Sequence, residues 1–110
     1  MKKILIISGD PNSINSEIIF KTWKKISKIT RKSIYLISNF DLLDCQANKI
    51  GFPIRLHKVK DIDEKLNNES LKVINIDLKF KNPFKIDEKE ASKFVISSLN
   101  LAHKFSMRKD

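Results

Sequence analysis

The chain has 110 residues, 41% hydrophobic and 32% charged, a composition that excludes a disordered polymer and points to one domain or part of one. Its 22 Lys and Arg outnumber 13 Asp and Glu for a net charge of +9, but the basic residues are scattered, and Lys, Ile and Asn share A/T-rich codons, so the charge reads as compositional and not as a nucleic-acid footprint. Cys45 is the only cysteine, which excludes an internal disulfide and a four-cysteine metal cluster, and no apolar run approaches the roughly 20 residues that span a membrane.

Residues 3–8 form a short, nearly continuous apolar run, which predicts a strand buried on both faces. The run is too short for a signal peptide, because Gly9-Asp10-Pro11 breaks it at once, so a cytoplasmic location is expected. Residues 9–15 are rich in turn formers and predict a loop, with Ser13, Asn15 or Ser16 as candidate caps for the next helix. That helix is predicted over residues 16–29, with Ile18, Ile19, Trp23 and Ile26 on its apolar side. A second strand is predicted over residues 33–38. Asn39 then caps a helix over residues 40–48, and Gly51 is placed to end it. Cys45 lies in the partly apolar stretch of this helix and reads as a small core residue.

A weaker strand is predicted over residues 54–59, a polar loop over 61–70, and an alternating strand over 71–80 with one wet face, near a sheet edge. Asp87 and Glu90 have the spacing of an acidic capping box. They open a helix whose apolar stripe is Ala91, Phe94, Val95, Ser98, Leu99, Ala102 and Phe105. In an α/β pattern a strand normally follows such a helix. The order therefore reads as the first part of a longer unit, with Phe94, Val95, Leu99 and Phe105 expected to be partly exposed. The alternation as a whole implies an α/β, three-layer fold with a largely parallel sheet.

The loop after the first strand is the best site candidate by position. Ligands in such folds gather at the carboxyl ends of the strands, and the following helix N-terminus favours anions. A turn built by Gly and Pro for its own geometry is the equal alternative. The stretch Gly9-Asp10-Pro11-Asn12-Ser13-Ile14-Asn15-Ser16-Glu17 resembles the Gly-Asp-Pro-Ala-Gly-Ile-Gly-Pro-Glu motif of the 4-hydroxythreonine-4-phosphate dehydrogenases. Gly9, Asp10, Pro11, Ile14 and Glu17 match. Asn12, Ser13, Asn15 and Ser16 stand where the family has Ala, Gly, Gly and Pro, so side chains replace two bare backbones. The later order of elements, the Gly51-Phe52-Pro53 segment and the Asn82-Pro83 turn also resemble the family, over about its first third.

The resemblance implies the incomplete fold of the isocitrate and isopropylmalate dehydrogenases, with residues 1–110 as the N-terminal portion of one α/β domain. It implies an oxidoreductase of pyridoxal phosphate synthesis. That enzyme oxidises and decarboxylates 4-phosphohydroxy-L-threonine to 3-amino-2-oxopropyl phosphate, with NAD or NADP and a divalent metal. Cofactor-binding candidates carried over are Gly9, Asp10, Pro11, Asn12 and Glu17. The metal-binding histidines would lie outside this chain, which alone is expected to be inactive. The implied partners are a small phosphorylated substrate and a second copy in a homodimer, with neither nucleic acid nor membrane. His57 and His103 match no ligand position and have no partners at ligand spacing, so both read as structural or solvated. Two further readings stay open. The Ile6-Ile7-Ser8-Gly9 start is also similar to the phosphate loop of small flavin reductases, which implies a flavodoxin-like FMN-binding domain. A non-catalytic α/β module is the third.

Overall fold

The structure is a computed structural model that describes residues 3–12, 15–60, 62 and 70–107, the side chains of residues 15 and 16 excepted. Four strands, β1 (Ile4–Ile7), β2 (Ile34–Ser38), β3 (Leu56–Val59) and β4 (Leu71–Asn75), and four helices, α1 (Asn15–Lys25), α2 (Lys28–Ser33), α3 (Phe40–Ile50) and α4 (Glu88–Ser106), make up its regular structure. The sheet order is β1-β2-β4-β3, and every pairing is parallel. Such a sheet must be covered on both faces. On one face Ile6, Ile34, Leu36, Leu71 and Val73 pack against Phe20 and Trp23 of α1 and Leu43 and Ala47 of α3. On the other, Leu5, Tyr35, Ile37, Val59 and Ile74 pack against Leu101, Ala102 and Phe105 of α4. This is the three-layer α/β architecture expected from the sequence. Fully buried side chains such as Leu36, Ile37 and Val73 each stabilise it by about 1.5–3 kcal/mol.

Local signals in the sequence set most of the boundaries. The Asn39 side chain accepts a hydrogen bond from the Leu42 N–H and caps α3. At the other end Gly51 takes φ 78°, and the bonds from Gly51 N to Asn48 O and from Phe52 N to Ala47 O close a Schellman motif. Asp87 caps α4 by accepting from the Lys89 and Glu90 N–H groups.

Several expectations are corrected. The helix predicted over residues 16–29 breaks after Lys25, and Ser27 caps the separate helix α2 through the Thr30 N–H. The break is sealed by Arg31, whose Nε and Nη2 donate to the Trp23 and Lys24 carbonyls at the end of α1. On α1 the buried pair is Phe20 and Trp23, while Ile18 is exposed. The strand predicted over residues 71–80 stops at Asn75, whose side chain accepts from the Phe40 N–H as the chain leaves the sheet. β4 is also no edge strand. It lies between β2 and β3, and its first four residues are buried. Cys45 is half-buried rather than core. On α4, Phe94 and Phe105 are buried, Val95 is half-buried and Leu99 is exposed. The predicted loop over residues 61–70 and the cap candidate Ser13 fall almost wholly outside the described residues.

The polar positions of the predicted alternation, Asn75, Asp77 and Lys79, fall at or beyond the end of β4, and the one charged residue inside the strand is Lys72. Its stem is buried among the strands, and its ammonium group lies 4.0 Å from the Tyr35 ring centroid and donates to the Lys32 carbonyl. Burial, and then the charge of Lys3, lowers its pKa below the ordinary lysine value. Between that lowered value and 10.5 the unfolded chain holds a proton that the folded chain has released, so this group makes stability rise with pH across the window. Lys72→Met keeps the stem and removes the charge. It is expected to raise Tm at neutral pH and to abolish the alkaline increment, as read by thermal unfolding at a series of pH values. A fall in Tm would mean that the contacts to Tyr35 and Lys32 outweigh the desolvation cost.

Candidate functional site

The carboxyl ends of the parallel strands carry the loop of interest. β1 ends at Ile7, and the Ser8 N–H donates to the Ile37 carbonyl, which holds the start of the loop against β2. Gly9 then takes φ 78°, a left-handed turn that a side chain would oppose. The Asp10 Oδ1 accepts from the Asn12 N–H at 2.9 Å, a turn closed by an Asp side chain. Pro11 is buried beneath it.

Asn12 fixes this loop to a segment 74 residues away. Its Nδ2 donates to the Ile86 carbonyl at 2.9 Å, and its Oδ1 accepts from the Ile86 N–H at 2.6 Å. The carboxamide thus pairs with both backbone groups of Ile86 as a strand neighbour would. Ile86 is buried with Leu42 and Ala91, and Leu78 and Phe80 pack against that cluster. The loop after β1 and the start of α4 are therefore held as one unit.

Between them lies an open groove of about 620 Å³ lined by Asp10, Asn12, Glu88, Ala91, Ser92, Val95 and Ile96. Two carboxylates and a hydroxyl face an apolar wall on α4. Such a lining accepts hydrogen bonds from hydroxyl or ammonium groups and repels a phosphate.

The five sequence candidates separate in space. Asp10 and Asn12 line the groove, Gly9 supplies the turn, and Pro11 packs below. Glu17 does not join them. It sits in the first turn of α1, in an exposed 3.0 Å ion pair with Lys21. Ile14 lies outside the described residues. Sequence reasoning missed Glu88 and Ser92, although the cap pattern at Asp87 and Glu90 brackets Glu88. His57 is exposed on β3. His103 is exposed fifteen residues along α4 from Glu88, about 22 Å away at the helical rise.

No group of three or more His, Cys, Asp or Glu placed to hold a metal occurs among the described residues. The donors among the described residues thus do not by themselves fit a divalent metal. Among the described residues no helix is long and apolar enough to cross a membrane.

No family model and no curated protein matches the chain. Solved structures do. One is assigned as a 4-hydroxythreonine-4-phosphate dehydrogenase from Salmonella typhimurium; it is 20% identical with a TM-score of 0.82 over 99% of this chain and 34% of its own. A 4-hydroxythreonine-4-phosphate dehydrogenase from Klebsiella pneumoniae is 18% identical with a TM-score of 0.80 over 97% of this chain and 34% of its own. The chain has the fold these proteins carry over that part, and it spans about a third of their length.

The Asn12 clasp gives a direct test of this geometry. Asn12→Ala removes both bonds to Ile86 and is expected to cost about 1–3 kcal/mol, since it leaves backbone groups beside a buried cluster unpaired. Asn12→Asp keeps the acceptor but sets a carboxylate against the Ile86 carbonyl, so it should not rescue. The check is the urea midpoint at unchanged m-value. A loss below about 0.5 kcal/mol in both variants would remove the clasp from the account of the site.

Proposed function

We propose that the chain is the N-terminal part of a cytoplasmic oxidoreductase of the 4-hydroxythreonine-4-phosphate dehydrogenase type, acting in pyridoxal phosphate synthesis. In this reading the whole enzyme uses NAD or NADP and a divalent metal to oxidise and decarboxylate 4-phosphohydroxy-L-threonine to 3-amino-2-oxopropyl phosphate. It works as a homodimer with the metal ligands outside this chain. One observation carries the reading. The chain follows enzymes of that name over nearly its whole length, and its Gly9-Asp10-Pro11 turn stands at the carboxyl end of β1, where ligands of such sheets bind.

The residues of this chain would then form one wall of the active site. Asp10 and Glu88 offer acceptors to the hydroxyl or ammonium group of the substrate, and Ser92 offers a donor. The substrate phosphate, repelled by the two carboxylates, is held by groups elsewhere in the enzyme. The sheet order also disfavours the flavodoxin-like alternative. That fold places its first strand between the second and third, whereas β1 here pairs with β2 alone among the described strands. The carboxylate of Asp10 would moreover face the flavin phosphate.

The test is turnover. The product of the longest reading frame that contains this chain, given 4-phosphohydroxy-L-threonine, a divalent metal and NAD or NADP, is expected to produce reduced nicotinamide, followed by its absorbance. The 110-residue chain alone is expected to give none. Asp10→Asn in the longer protein should raise KM at least about tenfold with Tm unchanged, about 1.4 kcal/mol of lost binding. A folded longer protein inactive with both cofactors, or a frame that stops at Asp110, would sink the reading.

A further inference from the structure

A second concavity lies at the opposite edge of the sheet. It occupies about 300 Å³ and is lined by Trp23, Lys24, Arg31, Phe52, Pro53, Ile54 and Arg55. Arg31 stands just ahead of β2, and residues 52–55 lead into β3, so the cleft opens at the amino ends of these strands, away from the Asp10 groove. It has an apolar floor of Trp23, Phe52, Pro53 and Ile54 under a rim of three cations. Among the described residues no Asp or Glu lines it.

The rim is held in place by the fold. The Arg31 Nε and Nη2 donate to the Trp23 and Lys24 carbonyls at 3.0 and 3.1 Å, and its guanidinium lies 5.2 Å from the Trp23 ring centroid. The Lys24 ammonium sits 6.0 Å from the Phe52 centroid, and Phe52 in turn stacks on the buried Phe20 at 5.8 Å. The backbone of Arg55 is anchored to β4, its carbonyl accepting from the Leu71 N–H at 2.8 Å. Three like charges around one small cleft repel each other, and a bound anion relieves that repulsion. Two of the three are arginines, and Lys24 and Arg31 each lie over an aromatic ring, features suited to a phosphate attached to a flat ring. The volume stands at the lower end of the range for ligand cavities, about 300–1,000 Å³, which suits one such unit and not a polymer.

We propose that this cleft, formed where α1, α2 and the segment leading into β3 meet, binds a small phosphate monoester carried by a flat ring, of the nucleoside monophosphate class. Lys24, Arg31 and Arg55 hold the phosphate, and the ring lies on the Phe52–Pro53 floor. The inference rests on this cleft alone and is independent of the oxidoreductase reading.

Trp23 is the only tryptophan, so its indole N–H cross-peak in a ¹⁵N correlation spectrum reports the cleft. Titration of the chain with AMP is expected to shift that peak saturably. Adenosine and inorganic phosphate should each bind at least about tenfold more weakly, since each supplies one half of the recognition. The double variant Lys24→Glu/Arg55→Glu changes two exposed side chains and leaves Arg31 in place. It should keep the far-UV circular dichroism spectrum and lose AMP affinity by at least about tenfold. The proposal is overturned by the absence of any shift at millimolar AMP, by equal affinity in the folded double variant, or by equal affinity for inorganic phosphate. It is also overturned if a single-stranded oligonucleotide binds far more tightly than AMP, which would make this face a nucleic-acid interface.

Discussion

Side-chain amides hold together the segments that leave the carboxyl edge of the sheet, and the placement of the groove residues depends on them. A parallel sheet delivers its chain ends to one edge, where the backbone has left the ladder and its polar groups need partners. Asn39 meets two of these needs at once, accepting from the Leu42 N–H to start α3 and donating to the Ile76 carbonyl as β4 ends. Asn75 returns the favour by accepting from the Phe40 N–H. Gln46, buried on α3, donates to the Pro83 carbonyl at 2.7 Å, and Asn12 closes the set on Ile86. Carboxamides suit this edge because each carries a donor and an acceptor without charge, so burial adds no ionic desolvation.

The same bonds explain why a chain with so long a connection between β4 and α4 keeps its groove. Residues 76–87 contain no strand or helix, only an isolated bridge between Asn82 and Lys85. Left to itself such a segment would have little to fix it. Here Ile76, Pro83 and Ile86 are each tied by a side-chain amide from another element, and Leu78 and Phe80 are drawn onto Leu42, Ile86 and Ala91. The start of α4 inherits its position from that segment, and Glu88 and Ser92 inherit theirs from α4. The geometry at Asp10 is thus set by contacts 74 residues apart in sequence.

How legible this was depended on the range of the interaction. Asn39, Gly51 and Asp87 announce helix ends through bonds to residues within five positions, and sequence reading placed all three. The stripe on α4 gave the layer over one face, because periodicity follows from a buried face. The apolar run of residues 3–8 read as a strand buried on both faces, whereas β1 pairs with β2 alone among the described strands, with Ile4 exposed and residues 5–7 half-buried. The break between α1 and α2 was hidden, since the seal is Arg31 reaching back to the Trp23 and Lys24 carbonyls, and an arginine in a lysine-rich helix carries no local signal. β4 read as an edge because Asn75, Asp77 and Lys79 alternate with apolar residues, but those positions lie at or past the end of the strand, whose first four residues are buried. At the site, the resemblance identified the loop, but only tertiary contact shows that Asn12 is occupied by Ile86, whereas the pairing of Glu17 with Lys21 is a local i,i+4 contact on α1.

Part of the charge that looks scattered in sequence is sorted in space at the helix ends. α1, α3 and α4 each leave the carboxyl end of a strand, so their N-termini gather at that edge and their C-termini at the other. Acidic residues occupy the first turns, Glu17 on α1, Asp41 on α3, and Glu88 and Glu90 on α4. Basic residues occupy the last turns, Lys24 and Lys25, Lys49, and His103 and Lys104, joined by Arg31 and Lys32 at the end of α2. Each such placement complements the helix dipole by about 0.3–1 kcal/mol when exposed. The stabilisation is modest, but its by-product is polarity along the strand direction. The carboxyl edge, where the backbone alone would attract anions, is screened by Asp10, Asp87 and Glu88. The helix C-termini add cations at the amino edge, while Lys79, Lys81, Lys85 and Lys89 stay on the carboxyl side. A net charge of +9 therefore says little about what the chain binds until it is divided between the two edges, and the division favours hydroxyl or ammonium ligands at one and phosphates at the other.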